Sequence, residues 1–430
     1  MQYSSPQEAV SLVKSGDTIV VQGSTSIPVV LLKALTERAA ELRNVTLISG
    51  FGVHPEDAPY AKPELIDSFR ALSIFVPNNL RHAMRDGSAD TIPVFLGEVP
   101  SLFRTRQLPV DVAFLQVSTP DEEGFCSFGM SADIAFSACE CAHTIIAQMN
   151  ASVPHTQGPA KIHVSKITAW CRVDEPLVEV PTPTPSAIDT RIGNFIANEI
   201  PDGATLQIGV GGIPNAVINA LSTHQHLGLH TEAITDGVLP LIRKGVIDNS
   251  LKKVLPGKSV GSLVLGSRAL YDYIDYNNDI EIHDVAFTND PQVIRQNPCP
   301  MSINSALEID LTGQICADSI GDTVISGVGG QHDFFYGSAL AEGGKCFLAM
   351  QSLTSKGQSK IVAHLQPGAG VVTTRFQPQY IVTEHGIVYL RNKSLAERAK
   401  LLISIADPSA REQLERAAVD RFGIAFLRLK

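Results

Sequence analysis

Near the middle of the chain a single carboxylate, Glu232, interrupts the apolar run HLGLHTEAITDG, residues 226–237. An acid inside what reads as a strand is ordinarily an edge residue facing solvent. The segment upstream points to a different chemistry. LQIGVGGIPNAV, residues 206–217, reads as a strand, a turn containing Gly209, Gly211 and Gly212, and a helix start. Bare backbone in such a turn lets N–H groups approach an anion closely, and the helix N-terminus adds partial positive charge. The pattern falls short of a dinucleotide G-x-G-x-x-G, and glycine turns often serve only to make a tight bend. A carboxylate beside it is nevertheless equipped to attack an acyl carbonyl or move a proton, with turn donors placed to stabilise an oxyanion.

Other residues compete for attention. A second GVGG spans Gly327 to Gly330, and Lys356 sits in a Ser/Gly loop where it could meet a phosphate. Glu308 in SALEIDLTG and Glu384 in VTEHG are alternative acids, but neither follows a glycine-rich turn between strand and helix. His224, His226 and His230 invite a zinc reading; no fixed third ligand is evident and the first two occupy a polar loop, so no metal site is expected. A nicotinamide-dependent oxidoreductase built on one glycine turn would leave both the second GVGG and Glu232 unexplained.

The elements that must position these groups follow from a repeat. SGDTIVVQGSTSIPVVLLKAL starts at Ser15 and PDGATLQIGVGGIPNAVINAL at Pro201; Gly23, Ile27, Pro28 and Leu35 share the mutual spacing of Gly209, Ile213, Pro214 and Leu221. Each copy reads as strand, turn, Pro near a helix start, amphipathic helix and second strand, VTLIS in one and HTEAIT in the other. Strand–helix–strand units imply a parallel sheet, hence an α/β protein whose ligand crevice lies at the C-terminal strand ends. Between the copies, DEPLVEVPTPTPSAID, residues 174–189, cannot sustain pairing and reads as a linker. With 430 residues, two domains are expected, 1–185 and 186–430. Where the second copy keeps bare backbone, the first has Ser24, Thr25 and Ser26, side chains suited to recognising a small group near Glu232.

A hydrophobic content of 44% with 18% charged residues describes a core-rich globular chain. The formal charge of −10 argues against nucleic acid or anionic membrane as a partner, so an anionic ligand must be held locally. Seven cysteines, without a C-x-x-C pair, suit reduced thiols; Cys139 and Cys141 are too badly placed for a redox pair. No basic and apolar leader opens the sequence and no stretch nears 18 uninterrupted apolar residues, so a soluble cytoplasmic protein is expected.

In addition to these readings, PVFLGEVPSLF, DVAFLQVSTPDEEGFCSFG, LQIGVGGIPNAV, HTEAITDGV, SINSALEIDLTGQ, SGVGGQHDF, GAGVVTTR and VTEHGI stand in an order and span that resemble the acetyl-CoA hydrolase/transferase family of class I CoA-transferases. Within the family the chain looks most similar to the 4-hydroxybutyrate CoA-transferases. The resemblance implies two similar open α/β domains with mainly parallel sheets and the active site at their interface. It implies a ping-pong transfer of CoA from an acyl-CoA, acetyl-CoA foremost, to a short carboxylate such as 4-hydroxybutyrate, through a glutamyl-CoA thioester. Butyrate, itaconate, acetate and succinate stay open as acids, and hydrolysis of acetyl-CoA stays open as the reaction. The family's H-[ST]-E-x-x-x-D-G glutamate maps onto Glu232 and its CoA-binding loop onto Gly209, Val210, Gly211, Gly212 and Ile213, with further contacts on Asn304, Ser326, Gly330 and Lys356. On this resemblance the small group that Ser24, Thr25 and Ser26 would recognise is an acyl group. Coenzyme A is implied as substrate, with no permanent cofactor, and a homodimer as the assembly.

Overall fold

Runs rich in β-branched and apolar residues, such as VAFLQV and TIIAQMN, form the strands Val112–Val117 and Thr144–Asn150. All six residues of the first are buried, because a parallel sheet is covered on both faces and needs no polar alternation. The computed structural model describes residues 4–56 and 58–429. It contains two large sheets. The first orders its seven strands Ala89–Thr91, Phe69–Ser73, Val45–Ser49, Thr18–Val21, Val112–Val117, Thr144–Asn150 and Ala169–Val173, all parallel. The second orders Gly228–Leu229, Thr205–Ile208, Pro300–Ser305, Lys345–Ala349, Tyr380–Thr383 and Gly386–Tyr389, parallel except for the last pair.

Both copies of the repeat sit where strand order reverses. Thr18–Val21 lies between its successor Val45–Ser49 and the distant Val112–Val117, and Thr205–Ile208 lies between Gly228–Leu229 and Pro300–Ser305. At such a switch point the loops leave in opposite directions and open a crevice. The expected linker ends earlier than its proline content suggests. Residues 174–186 are irregular, but Ser186 caps the helix Ala187–Ala197 and Asp189 reaches back to the Ser186 N–H, a capping box that starts the helix inside the expected linker.

The two halves do not keep separate cores. One continuous cluster runs from Ala113, Leu115 and Met149 of the first sheet to Leu206, Ile303 and Phe347 of the second. Backbone pairing reinforces it: Ser131 bridges Leu263, and the Met130 carbonyl accepts the Val264 N–H at 2.8 Å. Among the described residues no helix is long and apolar enough to cross a membrane.

Candidate active site

HTEAIT, expected as one strand, forms one only from Ala233. Gly228–Leu229 ends its pairing in the second sheet, and Ala233–Thr235 begins a different parallel pairing with Leu263–Leu265. Glu232 occupies the bend between them. Its backbone is held firmly: the Thr231 N–H donates to the Val260 carbonyl, and the Glu232 carbonyl accepts the Ser262 and Leu263 N–H groups, each at 3.0 Å. A side chain at such a break escapes both sheet faces and can project into the crevice.

The crevice is a cavity of about 370 Å³. Its walls include Gly209, Val210 and Pro214 from the glycine turn, Asn304 from the adjacent strand end, Ser326 to Gly330 from the second GVGG, and Phe51 and Phe75 from the loops that follow the first sheet's strands Val45–Ser49 and Phe69–Ser73. Glu232 is a lining residue, and Arg81 is the one cation among the described lining residues, its Nε donating to the Ile325 carbonyl at 3.1 Å. This local positive charge is what an anionic ligand needs on a chain of net charge −10.

Around Glu232 the donors are specific. Asn289 Nδ2 donates to Glu232 Oε2 at 3.1 Å, and the Gly330 N–H lies near enough to favour the charged carboxylate. Any side chain on Gly330 would run into Glu232 Oε2 and Asn289 Nδ2, so close approach demands glycine here. Burial nevertheless pushes the Glu232 carboxyl up to about 7, with the nearby Asp133 adding to the rise while Asn289 and Gly330 oppose it. Asp133 is itself buried and pushed up to about 6, although its Oδ1 accepts the Ile134 and Ala135 N–H groups. A carboxylate with little water and few compensating charges is a strong nucleophile, since attack relieves the buried charge.

The expected site residues separate into two sets. Glu232, Gly209, Val210, Asn304, Ser326 and Gly330 line one cavity. Gly211, Gly212 and Ile213 stand in the same turn, Gly211 at φ +136° and ψ −175°, a region open essentially to glycine alone. Lys356 lies instead in an exposed turn outside that lining, its N–H donating to Thr354 Oγ1. Ser24, Thr25 and Ser26 do not line the cavity either; all three are buried. The Ser24 N–H donates to the Phe51 carbonyl at 2.6 Å and its carbonyl accepts the Val53 N–H, so the 51–53 segment stands over the serines and presents Phe51 to the cavity in their place.

The competing residues are engaged elsewhere. Glu308 accepts the Gln366 N–H, and Glu384 accepts the Ser352 N–H and hydroxyl. The three histidines diverge: His224 faces the Ile200 carbonyl, His226 pairs with Asp248, and buried His230 donates from Nε2 to the Thr288 carbonyl. Cys139 and Cys141 fall two residues apart on the helix Ala135–Cys141, and all seven cysteines are free. Asn289, Asp133, Asp333, Arg81, Phe51 and Phe75 were missed. Asn289 lies in FTNDPQ, which has no spacing signal of its own; Asp333 is the exception, an acid inside SGVGGQHDF just after the second glycine turn.

Comparison with known proteins gives the family. The family models described as the acetyl-CoA hydrolase/transferase N-terminal and C-terminal domains match residues 1–182 and 266–418. A succinyl-CoA:acetate/propanoyl-CoA:succinate CoA transferase of Fasciola hepatica is 44% identical over 98% of this chain and 88% of its own length. The 4-hydroxybutyrate coenzyme A transferase of Clostridium kluyveri is 40% identical over 97% of each chain. The crystal structure of a 4-hydroxybutyrate CoA-transferase from Porphyromonas gingivalis superposes with a TM-score of 0.82 at 38% identity, covering 98% of both chains. The chain therefore belongs to the acetyl-CoA hydrolase/transferase family and is an acyl-CoA:carboxylate CoA-transferase.

Proposed function

We propose that Glu232 carries CoA covalently between a short acyl-CoA, acetyl-CoA in the first instance, and a short carboxylate such as 4-hydroxybutyrate. A Glu232 carboxylate oxygen attacks the thioester carbonyl, the C–S bond breaks, and a mixed anhydride and CoA thiolate result. The thiolate attacks the glutamyl carbonyl, releasing the first carboxylate and leaving a glutamyl-CoA thioester. The acceptor carboxylate then attacks that thioester, and the returning thiolate attacks the new acyl carbonyl, restoring Glu232. Each tetrahedral intermediate develops an oxyanion, and a well-placed donor is worth about 3–4 kcal/mol to it. Asn289 Nδ2 and the Gly330 N–H are the donors that face Glu232.

The observation that carries this reading is Glu232 on a bend between two sheets, in one cavity with both glycine turns. Gly209 to Ile213 and Asn304 are proposed to hold CoA, and Ser326 the pantetheine or acyl portion. Lys356, exposed on its turn, is proposed to reach only the distal phosphates. Shaping of the acyl pocket passes from Ser24, Thr25 and Ser26 to Phe51 and Phe75. A pocket of aromatic walls separates acids differing by one methylene by only about 1–3 kcal/mol, so butyrate, acetate, itaconate and succinate compete within the same site.

The test is incubation with acyl-CoA and no acceptor, followed by borohydride or hydroxylamine trapping and peptide mass mapping. The peptide containing Glu232 should carry the label. A label on another residue, or none under turnover conditions, would sink the assignment, and CoA release independent of added carboxylate would make the enzyme a hydrolase.

A further inference from the structure

The stretch PVFLGEVPSLF, residues 93–103, gives no lining residue to the Glu232 cavity, yet its turn reaches the groups beside the nucleophile. The Leu96 N–H donates to the Gly329 carbonyl at 3.2 Å, and the Gly97 N–H to Asp333 Oδ2 at 3.0 Å. The approach is close: a Cβ on Gly97 would lie 3.2 Å from both Asn289 Cβ and Asp333 Oδ2. Asn289 Nδ2 donates to Asp333 Oδ2 at 3.2 Å as well as to Glu232, while Asn289 Oδ1 accepts the Thr288 hydroxyl at 2.9 Å. Thr288 and Asn289 are fully buried and Asp333 is 5% exposed. Both amide hydrogens and the amide oxygen are thus engaged, and turning the amide over would aim its oxygen at two carboxylates.

We propose that Asp333 is the positioning residue for the Asn289 amide and that, through Gly97, it ties this amide to the first sheet's 95–98 turn. The proposal rests on the reading of Glu232 as nucleophile and extends it. While Glu232 is a carboxylate, its own charge holds the Nδ2 hydrogen. Once acylated, Glu232 presents only a weak carbonyl acceptor, at the stage when the amide must meet a developing oxyanion. Asp333 does not react, and although burial pushes its carboxyl up to about 7 it keeps an acceptor oxygen on the amide through every acyl transfer. Four acids share this neighbourhood: Asp133 and Asp333 both face Glu232, and Glu98 acts on Asp333 from the same turn as Gly97.

Asp333→Asn tests this, because the shape is kept while the new amide can pair with a reversed Asn289. Expected is a loss in kcat of roughly a hundredfold or more, the size seen when one oxyanion donor is removed, with the KM for acyl-CoA changed less than about threefold. The loss should fall on kcat and not on KM, a split that a purely structural role would not produce. Asp333→Glu should restore part of the rate. Wild-type kcat, or an equal loss in kcat and in acyl-CoA affinity, in a folded Asp333→Asn protein would overturn the proposal. Should that variant not fold, Thr288→Val removes the opposite anchor of the same amide, and a kcat within threefold of wild type there would overturn it equally. Trapping of the Glu232 adduct runs in parallel. No adduct in the wild type defeats the nucleophile reading, whereas a wild-type adduct matched in rate by Asp333→Asn defeats only the role of Asp333.

Discussion

The two copies of the strand–turn–helix repeat satisfy their helix starts in opposite ways. In the first copy, the Val30 and Leu31 N–H groups that open the helix Val29–Glu37 donate to Gln148 Oε1, at 3.1 and 3.5 Å. Gln148 is 1% exposed and is itself held by Gln116, whose Oε1 accepts Gln148 Nε2 at 2.7 Å. Neither helix is capped by its own N-cap side chain, but at the helix Gly212–Ala220 no side chain among the described residues takes the place of Gln148, and Gly209, Val210 and Pro214 of its turn line the Glu232 cavity. A helix start leaves backbone donors that need partners, supplied by the chain itself or left to a ligand. One copy is closed by a glutamine; the other has no such acceptor among the described residues, and its turn is the one proposed to receive an anionic substrate.

If that contrast is right, the largest effect belongs to the second copy. Glu232→Ala should reduce transfer by roughly 10⁴-fold or more, since no covalent route remains. The cavity walls would stay intact, so CoA binding measured by calorimetry should weaken far less. Next in size is Gly211→Ala. A Cβ at φ +136° imposes a strain of about 1–3 kcal/mol on the turn, and the expected loss is roughly ten- to hundredfold in kcat/KM for acyl-CoA. The matching change in the first copy, Gln148→Ala, should behave differently. It strips a buried acceptor from two N–H groups and should cost about 1–3 kcal/mol of stability in denaturant melts, with kcat/KM nearly unchanged. Loss of CoA affinity in Gln148→Ala comparable with that of Gly211→Ala would break the contrast.

How much of this was legible depends on the distance over which each feature is encoded. The repeat, the parallel α/β architecture and the glycine turn are local patterns of a few residues, and each stands in the structure where the sequence places it. That Glu232 stands by the glycine turn was legible from its neighbours, but not its bend, because HTEAIT has strand propensity throughout and only long-range pairing divides Ala233–Thr235 from the Gly228–Leu229 strand before it. That the first turn's side chains are buried away from the cavity was hidden for the same reason. Ser24, Thr25 and Ser26 occupy the right turn, and nothing local reveals that the 51–53 segment pairs over them. Asn289 and Gly97 act through hydrogen bonds that span 57 and 236 residues of sequence, beyond the reach of any motif.

The smallest predicted effect concerns stability and has opposite signs in the two copies. Glu232 has an ordinary value of 4.5 in the unfolded chain and about 7 in the fold, raised first by burial. A carboxyl raised in this way is protonated in the folded state and ionised in the unfolded one between those values. The fold is therefore favoured most below pH 4.5, and that contribution is lost as pH rises through 7. Glu232→Gln cannot ionise and escapes the cost of the buried charge. It should raise the melting temperature by on the order of 2 °C at pH 8 and leave it nearly unchanged at pH 4, below both values, where Glu232 is neutral in the fold and mostly neutral in the unfolded chain. An equal shift at both pH values would mean that packing, not ionisation, separates the two proteins. Replacing Glu232 should thus stabilise the second copy, while removing Gln148 should destabilise the first, because only the first has spent its buried polar group on holding its own helix.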